Sequence, residues 1–234
     1  MSAVLLGWPY LGLALGIAGL LYLALARRPE GAPPRGRDPA WLACVMLPVY
    51  MLHQFEEHGI DALGRRYHFI VELCTTLGHP DLDACPADPV FIFAVNVGAV
   101  WIAGVTAIAW RRRNPLVSAC SLGIPLVNAA AHLGPAIFFG RYNSGLLSGT
   151  LVFVPVCFFA LRGFVRAGAI PARRVPVVVA SGGVVHAVLA GALLAYGAGW
   201  LPYLLMIAIQ TLNGFVPLAM GTLFRVPARG GEAP

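Results

Sequence analysis

The chain has 234 residues, is 59% hydrophobic and only 11% charged, and carries a formal net charge of +6 with a mean hydropathy of +0.77. That balance leaves too little polar surface for a water-soluble domain. It gives no support to nucleic-acid binding either, because the positive charge lies in small groups at the ends of apolar runs.

Apolar runs cover residues 3–26, 41–60, 90–110, 116–139, 145–162, 175–198 and 201–223. As helix, each is long enough to cross a hydrocarbon core of about 30 Å. Residues 1–234 are therefore expected to form a single all-α domain, a polytopic membrane helical bundle of about seven transmembrane helices. Every basic residue is an arginine, and the groups alternate in size along the chain. Arg27, Arg28, Arg35 and Arg37 follow the first run, and Arg111, Arg112 and Arg113 the third. Arg162, Arg166, Arg173 and Arg174 follow the fifth, and Arg225 and Arg229 the last, leaving only Arg65, Arg66 and Arg141 on the opposite side. The positive-inside rule then puts the N-terminus outside and the C-terminus in the cytoplasm. A cleavable signal peptide ending at Ala24-Leu25-Ala26 is the rival reading of the first run. No basic residue precedes the run and two arginines follow it, which favours a retained helix. Trp8, Tyr10, Trp41, Trp200 and Tyr203 fit an interfacial belt.

The second run holds His53-Gln54-Phe55-Glu56-Glu57-His58. An ionisable side chain at the centre of a membrane helix costs ~2.5–3.5 kcal/mol on insertion scales, so two adjacent glutamates there need a partner, a proton or a metal. His53 stands three residues before Glu56 and four before Glu57, which crowds all three on one helical face. Beyond this run, the outer segment 61–89 carries Cys74 and Cys85. Spacing alone leaves a disulfide and two free thiols equally open. His58, His68 and His79 are expected to be solvated. The later runs contribute Asn96 and Trp101, then Asn128 and His132, Ser148 and Thr150, His186, and finally Gln210 and Asn213. Counted at 1.5 Å per residue, these groups share a slab between the midplane and the outer face, the pattern of one buried site. Arg65 or Arg141 reaching down onto the carboxylates is the structural alternative.

Two chemistries suit such residues. In the inverted zincin motif two histidines four residues apart bind zinc, and a glutamate between them activates water. Here Glu57 takes the place of the second histidine. His53 and Glu57, completed by His132 or His186, form a His₂Glu metal set with Glu56 as general base. The expected cofactor is a divalent metal, zinc first and iron as the variant. The reaction is then hydrolysis of a lipophilic ester or amide, with Asn128, Gln210 and Asn213 contacting the substrate. A non-haem iron lipid oxygenase is the redox form of the same site. Without a metal, the paired carboxyls suit proton transfer in an isomerase or cyclase of a lipophilic substrate, or in a proton-coupled carrier.

The run His53-Gln54-Phe55-Glu56-Glu57 resembles the signature of the HXXEE-domain family of bacterial membrane proteins. The likeness extends to the segment from Asn128 to Gly145, and by span count to about 41–220. Family members carry a tyrosine and then a Pro-Gly turn after the histidine that matches His132. This chain has Tyr142 and Gly145, with Ser144 where the proline is expected. The resemblance implies a multi-pass protein of the bacterial inner (cell) membrane with a metal or acid–base site, to which Tyr142 is added as a catalytic candidate. Membrane lipid and a lipophilic small molecule are the expected partners.

Overall fold

A proline with an acidic or amide cap starts three of the helices. In the computed structural model, which describes residues 3–225, Asp38 accepts hydrogen bonds from the Ala40 and Trp41 backbone, and Pro39 opens helix α2 (Pro39–His58). Asp88 and Asn114 play the same part for α4 (Pro89–Trp110) and α5 (Pro115–Phe139), again with proline in the first turn. The remaining helices are α1 (Ala3–Leu25), the short outer α3 (His68–Thr76), α6 (Leu146–Arg166), α7 (Val175–Gly197), α8 (Tyr203–Asn213) and α9 (Val216–Leu223).

All seven predicted runs are helical, but they do not all have the character of a span. Five helices are long and apolar enough to cross a membrane, and α8 with α9 passes the same test only when the pair, bent by 49° at a short break, is taken together. The seventh, α2, falls outside that group because its last turns carry the polar motif. It compensates by position. Helices α1, α4, α5 and α6 all pack around α2, and α3 lies against it. Met46, Val49 and Tyr50 of α2 accordingly sit in the main apolar core with Val100, Leu122, Ile124 and Phe153.

Two local features let the helices approach closely. Gly123 of α5 meets Gly182 of α7 so tightly that a Cβ on Gly182 would fall 1.9 Å from the Gly123 carbonyl oxygen. Two stretches, Ala94–Trp101 in α4 and Gly149–Phe153 in α6, are wound as π-helix, a geometry frequent at functional sites. Both abut the α2 motif. By contrast, a Cβ on Gly183 or Gly191 would meet nothing, so those two glycines do not serve close packing.

Segment 61–89 folds over the end of the bundle where α2 finishes. Cys74 and Cys85 are disulfide-bonded, joining α3 to the stretch before α4. Arg65 ion-pairs with Asp61 at 2.7 Å and with Glu72 at 3.0 Å. Trp8, expected in an interfacial belt, is instead buried against His58 and Phe93, because α3 covers the end of α1. Arg229 lies outside the described residues.

Candidate metal centre

One turn of α2 places His53 and Glu57 together, and α5 brings His132 against them. Glu57 Oε2 lies 3.5 Å from His53 Nε2, and Glu57 Oε1 lies 3.3 Å from His132 Nε2. All three residues are buried, and they alone among the described residues form a cluster of three or more donor side chains able to share an ion.

The hydrogen bonds behind the rings fix which nitrogen faces the carboxylate. Asn143 Nδ2 donates to the His132 carbonyl at 2.9 Å, so Asn143 turns its Oδ1 to the ring, 2.8 Å from His132 Nδ1. That nitrogen must carry the proton. Behind His53, the Ser148 hydroxyl donates to Glu56 Oε2 and accepts from His53 Nδ1 at 2.8 Å. In their neutral form both rings thus present the Nε2 lone pair to Glu57, and His53 Nε2 has no hydrogen-bond partner. Two lone pairs and a carboxylate aimed at one point repel one another unless a cation or a proton lies between them. An outer hydrogen bond from the second ring nitrogen is the usual support of a metal-ligating histidine.

Gly145 completes the enclosure. Its φ is +94°, and a Cβ there would fall 2.7 Å from His132 Cε1 and 2.9 Å from His53 Cε1. Only glycine fits both the backbone and the gap.

His58 corrects the expectation that it is solvated. It is 7% exposed and its Nε2 lies 2.9 Å from Glu57 Oε2, with Trp8 and Phe69 packed on its ring. Glu57 is therefore gripped from three sides by imidazoles. No arginine pairs with Glu56 or Glu57 among the described residues. Arg65 is taken up by Asp61 and Glu72, and Arg141 stacks on Phe139 at 5.4 Å.

Glu56 and Tyr142, the expected catalytic residues, are joined to each other at the start of α6. Glu56 accepts from the Tyr142 hydroxyl at 2.8 Å, from the backbone of Leu147 and Ser148 at 3.1 and 2.7 Å, and from the Ser148 hydroxyl. It caps the start of α6 from a neighbouring helix, where the free N–H groups and the helix dipole favour an anion. All four donors converge on its two oxygens. The Tyr142 hydroxyl also accepts from Ala62 N at 3.1 Å, latching the outer turn to the same point. Burial, and donation to Glu56, push its phenol well above the usual range.

A cavity of about 310 Å³ opens beside the triad, lined by Glu57, His58 and His132 and by apolar side chains of α3, α4, α5 and α7. Asn128, Asn213 and His186 reach it too. His186 lies outside the triad, with its Nδ1 turned to the Gly182 carbonyl at 2.9 Å. Gln210 does not line the cavity and bonds Leu189 O at 3.4 Å. Asn96 and Trp101 are bound up with Gln54 of the motif. Gln54 Nε2 donates to Asn96 Oδ1 at 3.0 Å, and Trp101 Nε1 donates to Gln54 Oε1 at 2.8 Å. The sequence reading named neither Asn143 nor His58 as part of the site, and Ser148 only as a polar group at the right depth. Nothing in the spacing of Asn143 or Ser148 signals that each would stand behind an imidazole.

Fold and site together define an all-helical protein with several helices of membrane-spanning length and a buried His₂Glu cluster. The chain belongs to the family described as "Protein of unknown function with HXXEE motif", whose model matches residues 44–160. That stretch contains the whole triad and both outer partners, Asn143 and Ser148. No curated protein and no solved structure matches the chain.

Proposed function

We propose that His53, Glu57 and His132 hold a divalent metal, zinc first, in a membrane-integral hydrolase of lipophilic esters or amides. The observation that carries this reading is the convergence of two oriented Nε2 lone pairs and one carboxylate, with His53 Nε2 otherwise unpartnered. Three protein ligands of this kind suit a catalytic zinc site, which keeps a further position open. A divalent cation there supplies Lewis acidity and an activated water.

The chain's own residues do the rest. Ser148 and Asn143 hold the rings in the binding tautomer. His58 Nε2–H, in its neutral form, donates to Glu57 Oε2 and steadies the carboxylate. Glu56 is reassigned from general base to the cap that orients Ser148, and with Tyr142 it belongs to the support of the site. The apolar cavity receives the substrate and keeps bulk water away from the triad.

The orientation with the site towards the outside rests on the arginine distribution and on the Cys74–Cys85 bond, which suits an oxidising compartment. With the family resemblance, that supports reading the protein as one of a bacterial inner membrane.

The test is hydrolysis of a panel of medium-chain esters and amides by purified protein in lipid nanodiscs, before and after chelation and with zinc restored. Turnover that vanishes with chelator, returns with zinc and is absent in Glu57→Gln supports the reading. Turnover indifferent to chelator favours proton chemistry by the same imidazole–carboxylate cluster and overturns the metal assignment.

A further inference from the structure

The cavity continues inward past the triad, and its deeper wall has an unusual chemistry. Asn128 stands four residues before His132 on α5, about one turn or roughly 6 Å along the helix. Its Oδ1 is buried and accepts no hydrogen bond among the described residues. The same is true of Asn213 Oδ1, at the end of α8. The orientation of the Asn213 amide is fixed, because Nδ2 donates to the Val185 carbonyl at 2.8 Å. His186 adds a third acceptor. Its Nδ1–H donates to Gly182 O at 2.9 Å, so the neutral ring keeps its lone pair on Nε2.

All three residues line the cavity, between apolar walls that include Phe91, Val95, Ile124 and Leu189. The other deep amide, Asn96, is saturated, since Oδ1 accepts from Gln54 and Nδ2 donates to Ile92 O at 2.9 Å. An unmet buried acceptor is destabilising. Two orphaned amide oxygens and an imidazole lone pair on one wall ask for a donor from a bound molecule.

From this wall we infer that the cavity takes a lipophilic molecule bearing a neutral hydrogen-bond donor, a hydroxyl or an amide N–H. Asn128, Asn213 and His186 receive the donor while the reacting group lies at the triad. The inference rests on the hydrolase reading and narrows its substrate class. A plain ester or a hydrocarbon chain meets none of the acceptors, whereas the N–H of a secondary amide or the O–H of a hydroxylated lipid meets one of them. The cavity volume lies at the lower end of the range for small-molecule sites, which suits a single chain or ring system.

The test compares isomers that differ only in the donor. Binding of 1-nonanol and of its isomer 1-methoxyoctane is measured on the full chain in nanodiscs, corrected for partition into protein-free discs. A second pair, N-hexylpropanamide and N-methyl-N-pentylpropanamide, separates amide from hydroxyl. One hydrogen bond corresponds to about tenfold in affinity, so the donor-bearing member of at least one pair binds about tenfold tighter. That preference falls towards unity in Asn128→Leu/Asn213→Leu. In the unaltered chain, the side-chain amide NMR signals of Asn128 and Asn213 move with the preferred isomer only, which locates the contact even if the double variant does not fold. Equal binding within both pairs overturns the inference, and so does a preference that survives the double variant or leaves those signals still. Zinc-loaded and chelated protein are run side by side. A donor preference in protein that never takes up metal sinks the metal reading alone, and metal-loaded protein without a preference sinks this inference alone.

Discussion

A methyl group at position 145 would stand 2.7 Å from one imidazole and 2.9 Å from the other, on a backbone at φ +94°. Gly145→Ala therefore adds left-handed strain of about 1–2 kcal/mol and pushes both rings off Glu57. Loss of zinc at concentrations that saturate the unaltered protein is the expected result, read by equilibrium dialysis. Ser148→Ala acts more narrowly. The Ser148 backbone N–H still binds Glu56, so the fold stands, but His53 Nδ1 loses its acceptor. Outer partners of metal-ligating histidines are worth 10–100-fold in affinity, and a drop of about that size in zinc affinity is predicted, in a variant that still folds at a somewhat lower melting temperature. An unaltered affinity would detach Ser148 from the site. At this scale the sequence was legible for the ligands and silent about their supports. His53 and Glu57 share a face by helical arithmetic, whereas Ser148 reaches His53 across 95 residues of chain. Ser144, where the family resemblance leads one to expect proline, uses the N–H that proline lacks. It donates to Glu72 Oε2 at 2.8 Å, and its hydroxyl to Asp61 at 3.1 Å.

Those Ser144 bonds belong to a larger element, the outer segment that roofs the cavity with Phe69, Glu72, Leu73 and Thr76. Burial opposes ionisation of Asp61, yet the backbone N–H and guanidinium of Arg65, helped by Leu63 and Ser144, outweigh it and hold the carboxyl below its ordinary value of 3.8. A depressed folded-state pKa stabilises the fold above the unfolded value and loses that contribution as pH falls through the folded one. The melting temperature of the unaltered protein is thus expected to exceed that of Asp61→Asn at neutral pH, with the two converging in acid below about pH 3–4, near the ordinary aspartate value. A gap that persists in acid would assign the effect to packing. Tyr142→Phe removes the latch from both Glu56 and Ala62, costing about 1–3 kcal/mol of stability because one partner is a carboxylate. Its turnover per metal-loaded molecule stays near that of the unaltered protein, whereas a proton donor would lose orders of magnitude. The roof was the least legible element. Segment 61–89 mixes charges, cysteines and apolar residues with no sustained period, and its shape comes from the disulfide and the Asp61–Arg65–Glu72 pairs. The membrane-length helices were legible to within a few residues because apolar length alone defines them. The bend between α8 and α9 was passed over, although Gly214 stands at the break and Pro217 just beyond it removes a helical hydrogen bond. Gly214 presses on the Ala99 backbone, where a Cβ would fall 2.4 Å from the carbonyl oxygen.

For the whole molecule, α2 is the axis on which fold and site depend. It is too polar to rank with the five membrane-length helices, and it lies among neighbours that supply every partner its motif needs. Reading the polar groups as one slab at a shared depth gathered too many of them. The structure divides them into a triad, a saturated amide network around Gln54 and an acceptor wall in the cavity. A compartment reporter inserted between residues 77 and 80 is expected to be active only on the oxidising side, and one at the C-terminus only in the cytoplasm. The opposite pattern would put the disulfide in a reducing compartment and reverse the proposed orientation.

The most direct measurement is the metal content of the purified protein by elemental mass spectrometry, alongside His53→Ala, His132→Ala and Glu57→Gln. About one zinc or iron per chain in the unaltered protein, with near-complete loss in each folded variant, is predicted from a three-ligand site. A folded chain that stays metal-free after incubation with zinc, or variants that retain the full complement, would contradict the account.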